Sequence, residues 1–380
     1  METPRLLVIA SLATSLTNFR LHMMRALQGR GFEVFAAAPE SDENTEASLK
    51  NAGIQMLLFQ FRRTGLNPFK DFRGIAELVR SFYRFRFNVV MPYTIKPVIY
   101  TCLVARLFPR IVVVPIITGV GIYFTEGSKA SSVVKWLVSF LYRVSLGRAN
   151  AVIFQNPDDC AMFVDRGFVA RSKCTVVDGS GVHLGEFISS EVPTSVVRIL
   201  MVCRLLRSKG VYEYLEAAKI CKAMDPSIHF VIAGPHDSSP DGVHQDEFQR
   251  LISESGVTYL GSLTEVQVKS ELTRSSIVVL PSYREGVPRT ILEAMATGRP
   301  IVVTDVPGCR ETVQPDINGL MVPVRDAKAL AAAILSLSNR RDQLGQMGRA
   351  SRRICEERFD VNRVNMKIAE IVERTVKLRI

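Results

Sequence analysis

The residues with the most chemical content lie between Arg284 and Pro300. Two carboxylates, Glu285 and Glu293, stand there with seven residues between them, separated by Gly286, Val287, Pro288 and a short apolar pattern. A carboxylate is acceptor-only and can take two adjacent hydroxyl protons at once. Pro288 suits the first position of a helix running to about Thr297, and Gly298 followed by Pro300 stops it. The first amides of that helix, those of Arg289 and Thr290, point back at the loop and carry the positive end of the helix dipole. An anion site of this kind, with acceptor groups on both sides, suits sugars at either end of a phosphate.

A second cluster matches it. Arg204 and Lys209 follow the apolar run from Arg198 to Val202 and precede Gly210 and a helical pattern. A guanidinium fork and a mobile ammonium on one strand-to-helix loop bracket a pyrophosphate, the first as a bidentate clamp and the second as a point charge. No pair of aspartates in apolar context offers a metal bridge, so no metal or cofactor is expected, and the cations with the helix terminus compensate the charge. A glycosidase also needs two carboxylates, but here they accompany a phosphate site, which argues against hydrolysis.

These loops need strands to deliver them. Short apolar runs predict strands at residues 6–10, 33–38, 55–59, 89–92, 111–117, 151–155 and 174–177 in the first half. The second half repeats the pattern at 198–202, 229–233, 257–260, 277–280, 301–304 and 320–322. Helical spacing intervenes at 20–28, 69–85, 98–106 and 133–145, so the class is α/β with doubly wound parallel sheets. Ligands of such sheets bind outside the carboxyl ends of the strands. The segment from Asp178 to Pro193, rich in Gly and Ser, reads as the link between two domains, 1–185 and 186–360. A terminal helix over 361–380 remains to pack back on the first.

A chain of 380 residues, 47% hydrophobic and 22% charged, is ordinary globular material with a formal charge of +11. Between Gln60 and Arg110 ten Lys and Arg face only Asp71 and Glu77, a net +8. Phe69, Phe72, Phe82, Tyr83, Phe85 and Phe87 interleave with those cations, the pattern of a patch for an anionic membrane surface. No nucleic-acid recognition module accompanies the charge, so no nucleic-acid partner is expected. The apolar helix from Ser131 to Gly147 reads mainly as core. Seven scattered cysteines without a paired spacing argue for a reducing compartment. No uncharged run is long enough to cross a bilayer. The expected place is the cytoplasm, peripheral to the inner face of the membrane.

The glutamate segment with its Gly-Val-Pro and Ala-Met-Ala surroundings resembles the signature of the family 4 retaining glycosyltransferases. That resemblance implies the GT-B fold, two Rossmann-like domains facing an interdomain cleft. It further implies that Glu285 contacts the donor sugar, that Glu293 grips the nucleotide ribose, and that Arg204 and Lys209 hold the donor phosphates. Glu285, Arg204 and Lys209 are then the catalytic residues, and Gly286, Val287, Pro288, Arg289, Thr290, Tyr259 and Leu260 complete the donor site. Glu311 matches the family pattern as well, with a structural role equally open.

On the acceptor side stand Asn18, Arg20, Tyr93, Lys96 and Gly119, and the segments around the last three are similar to transferases of bacterial surface-polysaccharide pathways. Those enzymes add hexoses or N-acetylhexosamines to polyprenyl-diphosphate-linked sugars, which makes a nucleotide sugar, with UDP favoured, and a lipid-linked glycan the expected partners. The chain departs from the family at Ala13 to Leu16, where many members have two glycines, and at Tyr93, the nearest match to a family histidine. A sugar-nucleotide 2-epimerase of the same fold and a non-catalytic nucleotide-sugar binder are the alternatives.

Overall fold

The computed structural model describes residues 3–60, 68–120 and 131–378, with backbone alone for 68–70. It forms two compact units, residues 1–180 with 362–380, and residues 181–361. The chain thus passes to the second unit within the segment expected as the link.

In the first unit β1 (Arg5–Ile9), β2 (Glu33–Ala38), β3 (Gln55–Leu58), β4 (Val89–Pro92) and β5 (Val112–Val113) make a parallel sheet in the order β3-β2-β1-β4-β5. Leu6 to Ile9 of β1 are wholly buried, as both faces of a parallel strand must be. Three further parallel strands, β6 (Ile116–Ile117), β7 (Val152–Phe154) and β8 (Cys174–Val176), form a small sheet, with a bridge between Tyr93 and Ile116. The single strand expected over 111–117 is therefore two. The last bond to β4 comes from the Val114 amide to Val90, and Pro115, which has no amide, ends the ladder.

The first helix covers Thr14–Gln28, not 20–28, because Leu16 is buried in register with Met23, Met24 and Leu27. Its polar first turn conceals the periodicity. Residues 13–16, where the family resemblance lapses, are thus the opening turn of a helix. The helix Ile95–Val104 likewise starts ahead of Val98, with Pro97 tolerated in its first turn. The terminal helix Val361–Lys377 buries Val364, Ile368, Ala369, Ile371 and Val372 in the core that contains Leu6, Val8 and Met23. Arg30 ties it down through Glu373 at 3.0 Å.

The helix Ser132–Leu146 is not a core helix on all sides. Val138, Tyr142, Ser145 and Leu146 are buried, whereas Val133, Trp136, Leu137 and Phe140 are exposed, with the Trp136 and Phe140 rings stacked at 5.8 Å. The aromatics between 69 and 87 divide as well. Phe82 and Phe87 belong to the core, while Phe72 and Tyr83 stay exposed. Phe69 lies outside the residues whose side chains are described. No helix among the described residues is long and apolar enough to cross a membrane.

The second unit is one six-stranded parallel sheet of β9 (Arg198–Val202), β10 (His229–Ala233), β11 (Thr258–Tyr259), β12 (Ile277–Leu280), β13 (Ile301–Thr304) and β14 (Gly319–Val322), ordered β11-β10-β9-β12-β13-β14. The chain leaves β9 toward one edge and returns to its other side at β12. This reversal is a topological switch point, and ligands bind at its carboxyl end.

Candidate active site

Two loops meet at the switch point of the second unit. After β9 the chain makes a tight turn over Arg207–Lys209 and enters the helix Val211–Met224 through Gly210, at φ 76°. A Cβ on Gly210 would stand 2.2 Å from the Pro281 carbonyl oxygen, so only glycine lets the two strand exits approach. The Tyr283 amide donates to the Ser208 carbonyl at 2.8 Å, stitching the loop after β12 to the one after β9. Lys209 Nζ then reaches Glu285 Oε1 at 2.5 Å, both largely buried. Burial disfavours the ammonium, but the Glu285 carboxylate outweighs it and holds the Lys209 pKa above its ordinary value.

Arg204 belongs to the same neighbourhood. The half-buried Cys203 thiol, directly after β9, is pushed up to about 12 by desolvation, with the charges of Lys209, Glu285 and Arg204 acting on it as well. The Arg204 guanidinium is half exposed and donates to Asp237 Oδ2 at 2.8 Å. Asp237, on the loop after β10, was not evident from sequence; the one available signal was its place directly behind a strand and Gly234. Hydrogen bonds from Ser239 come first in lowering its pKa, with Arg204 adding to them. Exposed pairs of this kind contribute roughly 0–1 kcal/mol, so the guanidinium exchanges partners at little cost.

Gly286 lies on the loop, and Val287 and Pro288 are buried and anchor it. The helix spans Arg289–Ala296, with Pro288 at its N-cap in extended conformation (ψ 113°) rather than inside the first turn. Its first internal bond runs from the Ile291 amide to the Pro288 carbonyl, leaving Thr290 in the turn ahead of it. Gly298, at φ 80°, ends the helix as expected. The turn around Gly308 supports the loop from beneath. The Glu285 amide donates to the Pro307 carbonyl at 3.2 Å, and a Cβ on Gly308 would lie 2.2 Å from the Gly286 carbonyl oxygen.

Glu293 has other company. It accepts from Arg289 Nε at 2.8 Å, and burial pushes its pKa up to about 7 although Arg289 pulls the other way. Its remaining charged neighbours are Glu265 and Lys269. Tyr259 donates its hydroxyl to the Gly234 carbonyl at 2.9 Å, and its ring forms an aromatic group with Phe248 and His236 at centroid distances of 5.0 and 5.9 Å. Leu260 follows at the end of β11, half-buried. Glu311 is held by Arg358 at 3.0 Å, a structural pairing.

The first unit gathers its own residues at the reversal between β1 and β4. Tyr93, directly after β4, shares a hydrogen bond with Ser15 Oγ at 2.8 Å, and the Arg20 guanidinium stands 5.0 Å from the centre of its ring. Burial takes the Tyr93 pKa up to about 12, against the pull of Arg20 and Ser15. Lys96 is committed to Asp71 at 2.8 Å in a buried pair, and Asp71 also accepts from Tyr100. Asn18 is exposed on the helix, and Gly119 adopts φ 146°.

The comparisons with known proteins agree with this architecture. Residues 16–178 match the glycosyl transferase 4-like domain and residues 186–354 match glycosyl transferases group 1. A Campylobacter jejuni protein named N,N'-diacetylbacillosaminyl-diphospho-undecaprenol alpha-1,3-N-acetylgalactosaminyltransferase is 26% identical over 96% of each chain. An Escherichia coli UDP-Gal:alpha-D-GlcNAc-diphosphoundecaprenol alpha-1,3-galactosyltransferase is 24% identical over 71% of each. Among solved structures, Anabaena HepE in complex with UDP-glucose superposes with a TM-score of 0.78 at 17% identity, covering 97% of this chain and 99% of that one. With both of its units matched to glycosyltransferase domains and its fold to GT-B, the chain belongs to the glycosyltransferases that join a family 4-like domain to a group 1 domain.

Proposed function

We propose that the protein moves a hexose or N-acetylhexosamine, with retention of configuration, from a UDP-sugar to a polyprenyl-diphosphate-linked acceptor in bacterial surface-polysaccharide synthesis. The observation that carries the donor half is the meeting of Lys209 and Glu285 at the switch point of the second sheet. The names of the two curated relatives and the UDP-glucose bound to HepE support the acceptor class and the nucleotide.

In this reading the arriving diphosphate takes Lys209 and Arg204 away from their acids. The freed Glu285 accepts hydroxyls of the sugar, and Glu293, once ionised, accepts those of the ribose. As the glycosidic bond breaks, Lys209, Arg204 and the first turn of the helix Arg289–Ala296 stabilise the charge growing on the leaving diphosphate, with no metal ion required. No side chain serves as nucleophile. The acceptor hydroxyl enters on the face the diphosphate leaves and gives its proton to it.

The acceptor's lipid calls for peripheral contact with an anionic membrane surface on its cytoplasmic side. The exposed Arg73, Arg80, Arg84, Arg86, Arg106 and Arg110, with the apolar side chains of Phe72, Tyr83 and Trp136, have the chemistry for it.

Lys209→Ala and Glu285→Gln are each expected to lower transfer by about 10²-fold or more, the usual cost of losing a charge-stabilising group, with the circular dichroism spectrum unchanged. Transfer within a few-fold of wild type in both folded variants would remove the donor assignment.

A further inference from the structure

Arg299, the buried arginine other than Arg20 among the described residues, finds acceptors for its terminal nitrogens although its Nε has none. Arg299 donates to the carbonyls of Ser190, Glu191 and Ser275. The half-buried Arg148 donates to those of Ala105, Phe108 and Ile111 and to Asn150. Arg20 is different. It is 2% exposed, and its side chain makes no hydrogen bond or ion pair among the described residues, its Nε being buried without a partner. Its guanidinium stands 5.0 Å from the centre of the Tyr93 ring, itself buried. A desolvated cation with neither acceptors nor a counter-charge is among the least favourable arrangements a core can hold, and an anionic ligand would relieve it.

Another unsatisfied group lies at the same strand exit. Thr94, the next residue after Tyr93, is held at φ 67° and ψ 156° at the N-cap of the helix Ile95–Val104, and its Oγ1 is buried with no hydrogen-bond partner. It does not cap its own helix. The Ser15 and Tyr93 hydroxyls are hydrogen-bonded to each other at 2.8 Å. The group sits at the carboxyl end of β1 and β4, the point where the strand order of the first sheet reverses. A buried guanidinium, an idle hydroxyl and the positive end of a helix thus all belong to the ligand end of this sheet.

We propose that Arg20, Thr94 and the first turn of the helix Ile95–Val104 form an oxyanion receptor that binds a phosphate of the acceptor's diphosphate. This rests on the transferase reading above and names the group by which the first unit selects its substrate. Arg20 grips two phosphate oxygens through its fork, Thr94 donates its hydroxyl to one of them, and Tyr93 holds the guanidinium plane in place. Lys96 is not part of the receptor, since Asp71 already neutralises it.

The test compares wild type with Arg20→Gln, Arg20→Lys and Thr94→Val. The acceptors are a short-chain polyprenyl-diphosphate sugar and the same sugar as a phosphate-free alkyl glycoside. For the diphosphate acceptor Arg20→Gln is expected to raise KM at least ten-fold, Thr94→Val several-fold and Arg20→Lys by an intermediate amount, with kcat falling much less. For the glycoside the four proteins should converge within about three-fold. A thermal-shift titration with inorganic pyrophosphate, read in Arg20→Gln and in the donor-site variant Lys209→Ala, requires no turnover. The shift should survive the loss of Lys209 in part and lose its remainder with Arg20.

Equal losses on both acceptors, or an unchanged KM, would overturn the proposal. So would a melting temperature of Arg20→Gln well below wild type, which would make the guanidinium a structural group. If wild type transfers nothing from any nucleotide sugar but the Arg20-dependent pyrophosphate shift remains, the transferase reading fails while the receptor stands.

Discussion

At the residue scale the proposed donor site pairs each of its acids with a base, Glu285 with Lys209, Asp237 with Arg204 and Glu293 with Arg289. Glu293 shows the cost of that arrangement in a measurable form. Its pKa near 7 exceeds the ordinary 4.5, so the folded protein retains a proton there that the unfolded chain releases. The stability this contributes is complete below about pH 4.5 and is lost as pH rises through about 7. Glu293→Gln, neutral throughout, has no such loss. The melting temperature of wild type relative to that variant should therefore fall between pH 4.5 and 8. Binding of a nucleotide sugar should move the other way, strengthening through pH 7 in wild type as the carboxylate ionises, and staying flat in Glu293→Gln. Parallel profiles in the two proteins would show that Glu293 does not grip the ligand. Arg289, Glu265 and Lys269 are the charged groups around it and set where the inflection falls.

At the element scale, the position of Glu285 depends on a turn that carries none of the chemistry. Gly308 adopts φ 79°, and a Cβ there would press on the backbone of both Glu285 and Gly286, at 2.5 and 2.2 Å from their carbonyl oxygens. Backbone atoms cannot rotate away as a side-chain end can. Gly308→Ala is accordingly expected to destabilise the second unit by about 1–3 kcal/mol, a shift of roughly 2–12 °C, and to weaken donor binding through displacement of Glu285. Calorimetry of the variant with and without a nucleotide sugar reads both effects. An unchanged melting temperature would mean the loop is not held from beneath.

The strands were legible in sequence almost residue by residue. Apolar runs such as Ile277–Leu280 and Ile301–Thr304 are buried on both faces, and their composition alone marks them. Helix starts were not. The first turn at Thr14 is polar and its capping residue, Ala13, makes no side-chain bond, so nothing local announced it.

At the scale of the whole molecule, charge and exposed apolar surface are concentrated in the first unit. The stripe of Val133, Trp136, Leu137 and Phe140 occupies positions one and two turns apart on a helix whose opposite face is already in the core. Such a surface is suited to an interfacial bilayer contact reinforced by arginines. Replacing Trp136 and Phe140 together by Ser should reduce flotation with anionic liposomes at least several-fold without lowering the melting temperature. Added salt should weaken the wild-type association. Flotation unaffected by both the substitution and salt would remove the membrane assignment.

By itself the sequence determined the class of the fold, the strands, the loop carrying Glu285 and the two cations that answer it, because each of these is written in local composition and spacing. It could not determine who partners whom. Lys209 and Glu285 are far apart along the chain, as are Arg20 and Tyr93, and they meet because β9 neighbours β12 and β1 neighbours β4 in a crossover order. The tertiary structure alone decided that Arg204 leans on Asp237, that Lys96 is neutralised by Asp71, and that Arg20 meets no acid among the described residues. Burial and charge pairing are sums over neighbours distant in sequence, and no local pattern records them.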